Sequence, residues 1–143
     1  MTILILGAGE SGLGSALLAK KNNYSVFISD AGGIHDSTKE KLINSSINFE
    51  ENSHEKAKTL NVDLVIKSPG ISDSSDIVKL LDSKHLKIIS EIEFASAYCN
   101  SKIIGITGSN GKTTITTLTH KLISDAGFSC SISGNIGNSC LLY

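Results

Sequence analysis

The sequence predicts an α/β fold built on a parallel sheet with helices on both sides, and three observations carry that prediction. Short apolar runs alternate with segments of helical spacing, the βαβα rhythm that produces parallel strands. The runs are apolar throughout, as strands covered on both faces are. Two glycine-rich stretches, "GAGESGLG" from Gly7 and "GITGSNGKTT" from Gly105, each stand between an apolar run and a helical segment.

The elements follow in order. "TILIL" (2–6) and "SVFIS" (25–29) read as buried strands, and Leu13, Ala16, Leu17 and Lys20 between them fall on helical spacing. A helix is expected near 37–46, a weak strand at "INFE", a helical "HEKAKTL", and the best central strand at "DLVIKS" (63–68). Ile77, Leu80 and Leu81 mark one face of a further helix, and "KII" (87–89) a further strand. "SEIEFASAYC" (90–99) opens with Ser90 and Glu93 in capping-box spacing and reads as a short helix. Its paired Glu91 and Glu93 could suggest acid/base chemistry, but acids in a first helical turn ordinarily complement the helix dipole.

The polar "CNSK" (99–102) suggests a boundary, giving a domain over 1–98 and the beginning of a second over 99–143. There the pattern restarts: a strand "IIGIT", a glycine loop, a helix near 112–126 with Ile115, Leu118, Leu122 and Ala126 on one face and Gly127 after it, then a strand "SCSIS". One helix and two strands cannot close a core by themselves, so this second unit is expected to be incomplete.

Composition narrows the function. With 40% hydrophobic and 19% charged residues and a formal charge of -1, the 143 residues read as a soluble globular chain. Lysines are dispersed and aromatics scarce, so neither a nucleic-acid arm nor a stacking platform is indicated. Cys99, Cys130 and Cys140 are odd in number and lack CxxC spacing, which speaks against a disulfide framework or a zinc site and fits a reducing cytoplasm. "MTILIL" has no basic flank or cleavage site and does not read as a signal peptide; no run is long enough for a membrane span. His35, His54, His85 and His120 are scattered, and a monomer is expected.

Gly7, Gly9 and Gly12 form G-x-G-x-x-G between a strand and a helix, with Asp30 ending the next strand, 18 residues on. In such a Rossmann-like context glycines let the backbone approach a diphosphate, helix N–H groups bind it, and the acid meets a ribose or base. A tight turn using glycine for positive φ is the plainer alternative, and Glu10 would repel a phosphate unless it points away. The second loop, Gly108-Ser109-Asn110-Gly111-Lys112-Thr113-Thr114, offers a nest of N–H groups, a lysine for terminal phosphates and a hydroxyl for Mg²⁺. Its one departure from the strict P-loop pattern is Ile106 where glycine is usual.

That departure matters, because "TGSNGKTT" resembles the variant P-loop of the Mur ligases, the ATP-dependent amino-acid ligases of peptidoglycan synthesis, and of the related folylpolyglutamate synthetases. Together with "ILGAGESGLG", "SPGIS" (68–72), "SEIEFA" (90–95) and "SGNIG" (133–137), the order of motifs is most similar to the D-glutamate-adding branch of that family. The resemblance covers all but the last residues, where "NSCLLY" departs from it.

The resemblance implies a first domain that binds the UDP part of a UDP-N-acetylmuramoyl-L-alanine substrate. Glu10, Ser11 and Gly12 would lie at the diphosphate, Asp30 and Ala31 would face the uracil, and Ser68, Pro69 and Gly70 would border the ribose. Some members carry threonine and arginine after the aspartate, where this chain has Ala31 and Gly32. Gly108, Ser109, Asn110, Gly111, Lys112, Thr113 and Thr114 would wrap ATP, with Lys112 on the β/γ-phosphates and Thr113 near Mg²⁺. Asn135 would hold substrate phosphates near the metal, although asparagine between glycines also makes a good turn. The implied reaction activates the muramoyl-alanine carboxylate as an acyl phosphate, which the D-glutamate amine attacks; the protein positions groups and neutralises charge.

The family's metal-binding acid, histidine, modified lysine and third domain correspond to positions past Tyr143. The expectation is therefore an N-terminal fragment, inactive alone, which ATP- and D-glutamate-dependent phosphate release from the 143-residue chain would overturn. Three alternatives stay open: a nicotinamide-dependent oxidoreductase, a non-catalytic nucleotide-binding module, and a sister ligase with another substrate.

Overall fold

The computed structural model describes residues 1–134. Its sheet has five parallel strands in the order β3-β2-β1-β4-β5. These are β1 (Thr2–Leu6), β2 (Ser25–Ser29), β3 (Asn48–Glu50), β4 (Leu64–Lys67) and β5 (Ile88–Ser90). Helices α1 (Glu10–Lys21), α2 (Asp36–Asn44), α3 (Glu55–Thr59), α4 (Asp76–Ser83) and α5 (Glu91–Ser96) connect or follow them, and α6 (Lys112–Asp125) stands apart in the sequence.

The strands are apolar on both faces because two cores flank the sheet. On one side Ile3, Ile5, Ile28 and Ile66 pack with Leu13, Ala16 and Ala19 of α1, Leu42 of α2 and Phe94 of α5. On the other, Leu4, Leu6 and Val65 pack with Ala57 of α3 and Ile77, Val78 and Leu81 of α4. Leu80, expected on the α4 core face, is only partly buried, and Val78 takes that place. Of the residues expected on one face of α1, Leu13 and Ala16 are buried, Leu17 is half-buried and Lys20 is exposed, while Ala19 is buried as well.

Ser90 caps α5 by accepting a hydrogen bond from the Glu93 N–H at 3.1 Å, which bears out half of the capping box. Glu91, by contrast, is 6% exposed, and its Oε2 is buried without a hydrogen-bond partner.

The two strands expected in the second unit do not form among the described residues. Residues 103–107 and 129–133 join no ladder, and Ile103 and Ile104 remain 68% and 62% exposed. A lone apolar segment has no partner to satisfy its backbone groups, and β5 already ends the sheet. Helix α6 does form, with Gly127 at φ 84 just beyond it, but it buries no residue. Its intended core face shows Ile115, Leu118 and Leu122 at 52%, 55% and 70% exposure. No described helix is long and apolar enough to cross a membrane.

Candidate functional site

The chain leaves β1 toward β2 and β3 on one side, then crosses back to β4 and β5 on the other, so the direction of winding reverses between β1 and β4. Above the C-terminal ends of those two strands a doubly wound sheet opens a crevice, the usual place for a ligand. In this sheet that position falls between the glycine loop after β1 and the Ser68–Gly70 turn after β4.

The glycine loop is held by its neighbours. Gly7, at φ 93, donates its N–H to the Ser29 carbonyl at 2.8 Å, and Ala8 donates its own to Asp30 Oδ2 at 2.6 Å. Gly12 allows α1 to start against the loop, since a Cβ there would come within 1.9 Å of the Gly7 carbonyl oxygen. Gly9 caps α1 without any side-chain hydrogen bond. The start of α1 therefore has no side-chain acceptor at its cap, and a helix N-terminus of that kind is the arrangement that binds anions. Glu10 itself is exposed.

Ser68 closes the other wall. Its N–H donates to the Leu6 carbonyl at 3.0 Å, and its Oγ would lie 2.8 Å from a Cβ at Gly7 and 3.5 Å from one at Gly12. That hydroxyl is buried with no hydrogen-bond partner among the described residues. Pro69 and Gly70 are exposed, and the turn is pinned by Lys67, whose Nζ donates to the Ile71 carbonyl at 2.7 Å and pairs with Asp73 at 3.0 Å.

Asp30 acts as a brace between two loops. Besides holding Ala8, its Oδ1 accepts the Gly32 N–H at 2.8 Å, so the carboxylate ties the glycine loop to exposed Ala31, Gly32 and Gly33. The β3–α3 loop supports the same segment: Asn52 donates its N–H to the Gly32 carbonyl at 2.9 Å, and Glu51 accepts the Ile34 N–H at 2.9 Å. Lys39 bridges to Glu51 at 2.8 Å, and that hydrogen bond raises the lysine pKa and lowers the glutamate's.

Sequence reasoning did not find the buried polar cluster beneath this loop. Ser29 Oγ, fully buried, donates to Glu50 Oε1 at 2.7 Å and lies 2.6 Å from His54 Nδ1. With the serine proton given to Glu50, His54 Nδ1 carries the hydrogen it shares with Ser29. Glu50 also accepts the Lys56 and Ala57 N–H groups at 2.9 and 2.8 Å, capping α3. Burial pushes the Glu50 carboxyl up, but the bonds from Ser29, Ala57 and Lys56 and the nearby His54 outweigh it, leaving the group below its ordinary value. The available signal was a serine and a glutamate at the ends of β2 and β3.

The second glycine loop is locally well formed. Gly111 caps α6 at φ 76, Gly108 lies at φ 154, and Thr113 and Thr114 stand in the first helical turn. Lys112 Nζ hydrogen-bonds to the Gly108 carbonyl and, at 3.1 Å, to that of Ser109, so the lysine lies over its own loop. Ser109, Asn110 and Gly111 are exposed. Asn135 lies outside the described residues.

The chain is similar to known proteins over most of its length. The chain is 50% identical over 137 residues to a UDP-N-acetylmuramoylalanine--D-glutamate ligase of Christiangramia forsetii, a match covering 96% of this chain and 31% of the relative. It is 47% identical to the protein of that name from Cytophaga hutchinsonii, again over 96% of this chain and 31% of the relative. The chain thus spans about a third of the length of the curated relatives it matches. Among solved structures, a murein peptide ligase from Psychrobacter arcticus superposes with a TM-score of 0.61 at 28% identity, covering 89% of this chain and 27% of that one. Residues 2–77, which hold the glycine loop, the Asp30 brace and Ser68, match the model of the MurD N-terminal domain, and the chain belongs to that family.

Proposed function

We propose that this chain supplies the uridine-nucleotide end of the substrate site, and the opening of the ATP site, in an ATP-dependent ligase that joins D-glutamate to UDP-N-acetylmuramoyl-L-alanine during peptidoglycan synthesis. The observation that carries the reading is the β1/β4 crevice. The N-terminus of α1 has no side-chain cap on one wall, and on the other the buried Ser68 hydroxyl lacks a partner. A diphosphate would satisfy the first, since phosphate oxygens accept from N–H donors, and a ribose hydroxyl beside it the second. The names of the relatives supply the substrate.

In this reading residues 1–98 form the UDP-substrate domain and 99–143 begin a P-loop ATP-binding domain. Glu10, Ser11 and Gly12 hold the diphosphate through backbone N–H groups, Asp30 and Ala31 border the base, and Ser68, Pro69 and Gly70 border the ribose. Gly108 through Thr114 would wrap ATP: glycines at positive φ aim N–H groups inward, Lys112 would exchange its loop carbonyls for β/γ-phosphate oxygens, and Thr113 would offer a hydroxyl to Mg²⁺. ATP supplies the phosphoryl group that activates the substrate carboxylate for attack by the D-glutamate amine. Asn135 is assigned to the substrate phosphates by resemblance. The chain's own contribution is positioning and charge neutralisation.

Isothermal titration of the chain with UDP-N-acetylmuramoyl-L-alanine and, separately, with NADH tests the reading. Saturable binding of the first alone is expected. Saturable NADH binding without it would favour an oxidoreductase, which leaves the second glycine loop unexplained.

A further inference from the structure

Two polar groups just past the ends of β4 and β5 are buried with nothing to bond to, and the strand register makes them neighbours. Lys67 and Ser90 are the last paired residues of the two strands. Ser68 and Glu91 come next, the first in the turn after β4 and the second at the start of α5. Ile66 and Ile89 are also paired, and both enter the core on the α1 side of the sheet. Side chains in extended backbone alternate between faces, so Ser68 and Glu91, two residues further on, return to that side. Ser90, at φ -78 and ψ 161, keeps the extended conformation that carries the alternation through. Phe94, one helical turn beyond Glu91, is buried in the same core.

Neither group is served where it lies. Ser68 Oγ and Glu91 Oε2 are buried, and neither has a hydrogen-bond partner among the described residues. A buried acceptor without a donor is costly, and a carboxylate oxygen more so than most. Ser90 and the Glu93 N–H cap α5, which accounts for the polar residue at 90. It does not account for a carboxylate turned inward at 91, where an apolar side chain would avoid the cost.

We propose that Glu91 is a positioning residue for the substrate: with a nucleotide bound, it takes the hydroxyl hydrogen of Ser68, directly or across one buried water. A serine hydroxyl has one hydrogen and two lone pairs. With that hydrogen turned to Glu91, Ser68 Oγ meets the crevice as an acceptor. Its partner must then carry a hydrogen, as a ribose hydroxyl does and an ionised diphosphate oxygen does not. Ser68 thereby tells a nucleotide from a bare diphosphate. The ligand rests on the function proposed above; the pairing of Ser68 with Glu91 does not.

The test is a double-mutant cycle read by titration calorimetry with UDP and with inorganic pyrophosphate, with thermal unfolding as the fold control. Glu91→Met keeps the length of the side chain and removes both acceptors, whereas Glu91→Gln keeps one. A roughly fivefold weaker UDP affinity is expected in Glu91→Met and in Ser68→Ala, with no further loss in the double variant. Glu91→Gln should bind UDP like the wild type, and pyrophosphate affinity should not change in any variant. Wild-type UDP affinity in Glu91→Met overturns the assignment, and so do losses that multiply in the double variant or fall equally on pyrophosphate. A crystal structure of the wild-type chain with UDP reads the geometry whatever the variants do. Ser68 Oγ bonded to Glu91, or to a water that Glu91 also holds, supports the proposal; Glu91 joined to neither overturns it. Failure of the wild-type chain to bind UDP at all brings down the nucleotide reading, and this assignment with it.

Discussion

Residues 7–12 and 105–114 both lead from an apolar segment into a helix through glycines at positive φ, yet they sit in opposite surroundings. The first loop is locked from four directions: Ser29 and Asp30 hold Gly7 and Ala8, Ser68 abuts Gly7, and α1 starts against the Gly7 carbonyl. The second is held by itself, through Lys112 and the first turn of α6, and no residue from 99 to 134 is buried. A glycine loop of this kind is thus a local device that needs only glycines, a lysine and a helix start, whereas a strand needs a neighbour. That is why α6 forms while the apolar runs flanking it join no sheet.

The contrast can be broken most forcefully at Gly12. Gly12→Ala places a methyl 1.9 Å from a backbone oxygen that cannot swing away, so α1 must shift; a loss of about 3 kcal/mol or more is expected in urea denaturation. A matched pair of truncations is the next largest effect. Leu4→Ala, at a fully buried position, should cost about 3 kcal/mol, while Leu118→Ala, at 55% exposure, should stay within about 0.5 kcal/mol. Similar losses at the two sites would mean that α6 packs as part of the same body.

The smallest effect concerns Glu50 and acid. Its folded pKa lies below the ordinary 4.5, so its contribution is present above that value and fades as pH falls through the folded pKa. Glu50→Gln should remove about 2 kcal/mol at neutral pH, the worth of a charge-assisted bond, and should flatten the stability curve below pH 4.5. An unchanged acid limb in the variant would show that the cluster with Ser29 and His54 contributes nothing pH-dependent.

Much of this was legible in the sequence. Continuous apolar runs marked β1, β2, β4 and β5, "INFE" marked β3 only weakly, and the glycine spacing gave the turn into α1, because burial on both faces and positive φ leave direct marks on residue choice. What was not legible depends on partners distant in sequence. Asp30 read as a ligand-facing acid, but its contacts with Ala8 and Gly32 also make it a brace. Glu50, Ser29 and His54 carried no motif because their link is made by the alignment of β2 with β3. "IIGIT" and "SCSIS" look like strands by composition, and composition cannot report whether a neighbouring strand is there to pair with them.

The central claim is that a uridine nucleotide sits in the β1/β4 crevice with its diphosphate on the start of α1. Amide-resolved NMR of the chain during titration with UDP-N-acetylmuramoyl-L-alanine tests it most directly. The account predicts saturable shifts at the N–H groups of Glu10, Ser11, Gly12, Ala31, Gly32, Ser68 and Gly70, with α6 unmoved. Shifts confined to residues 108–114, or no saturable shift at all, would contradict it.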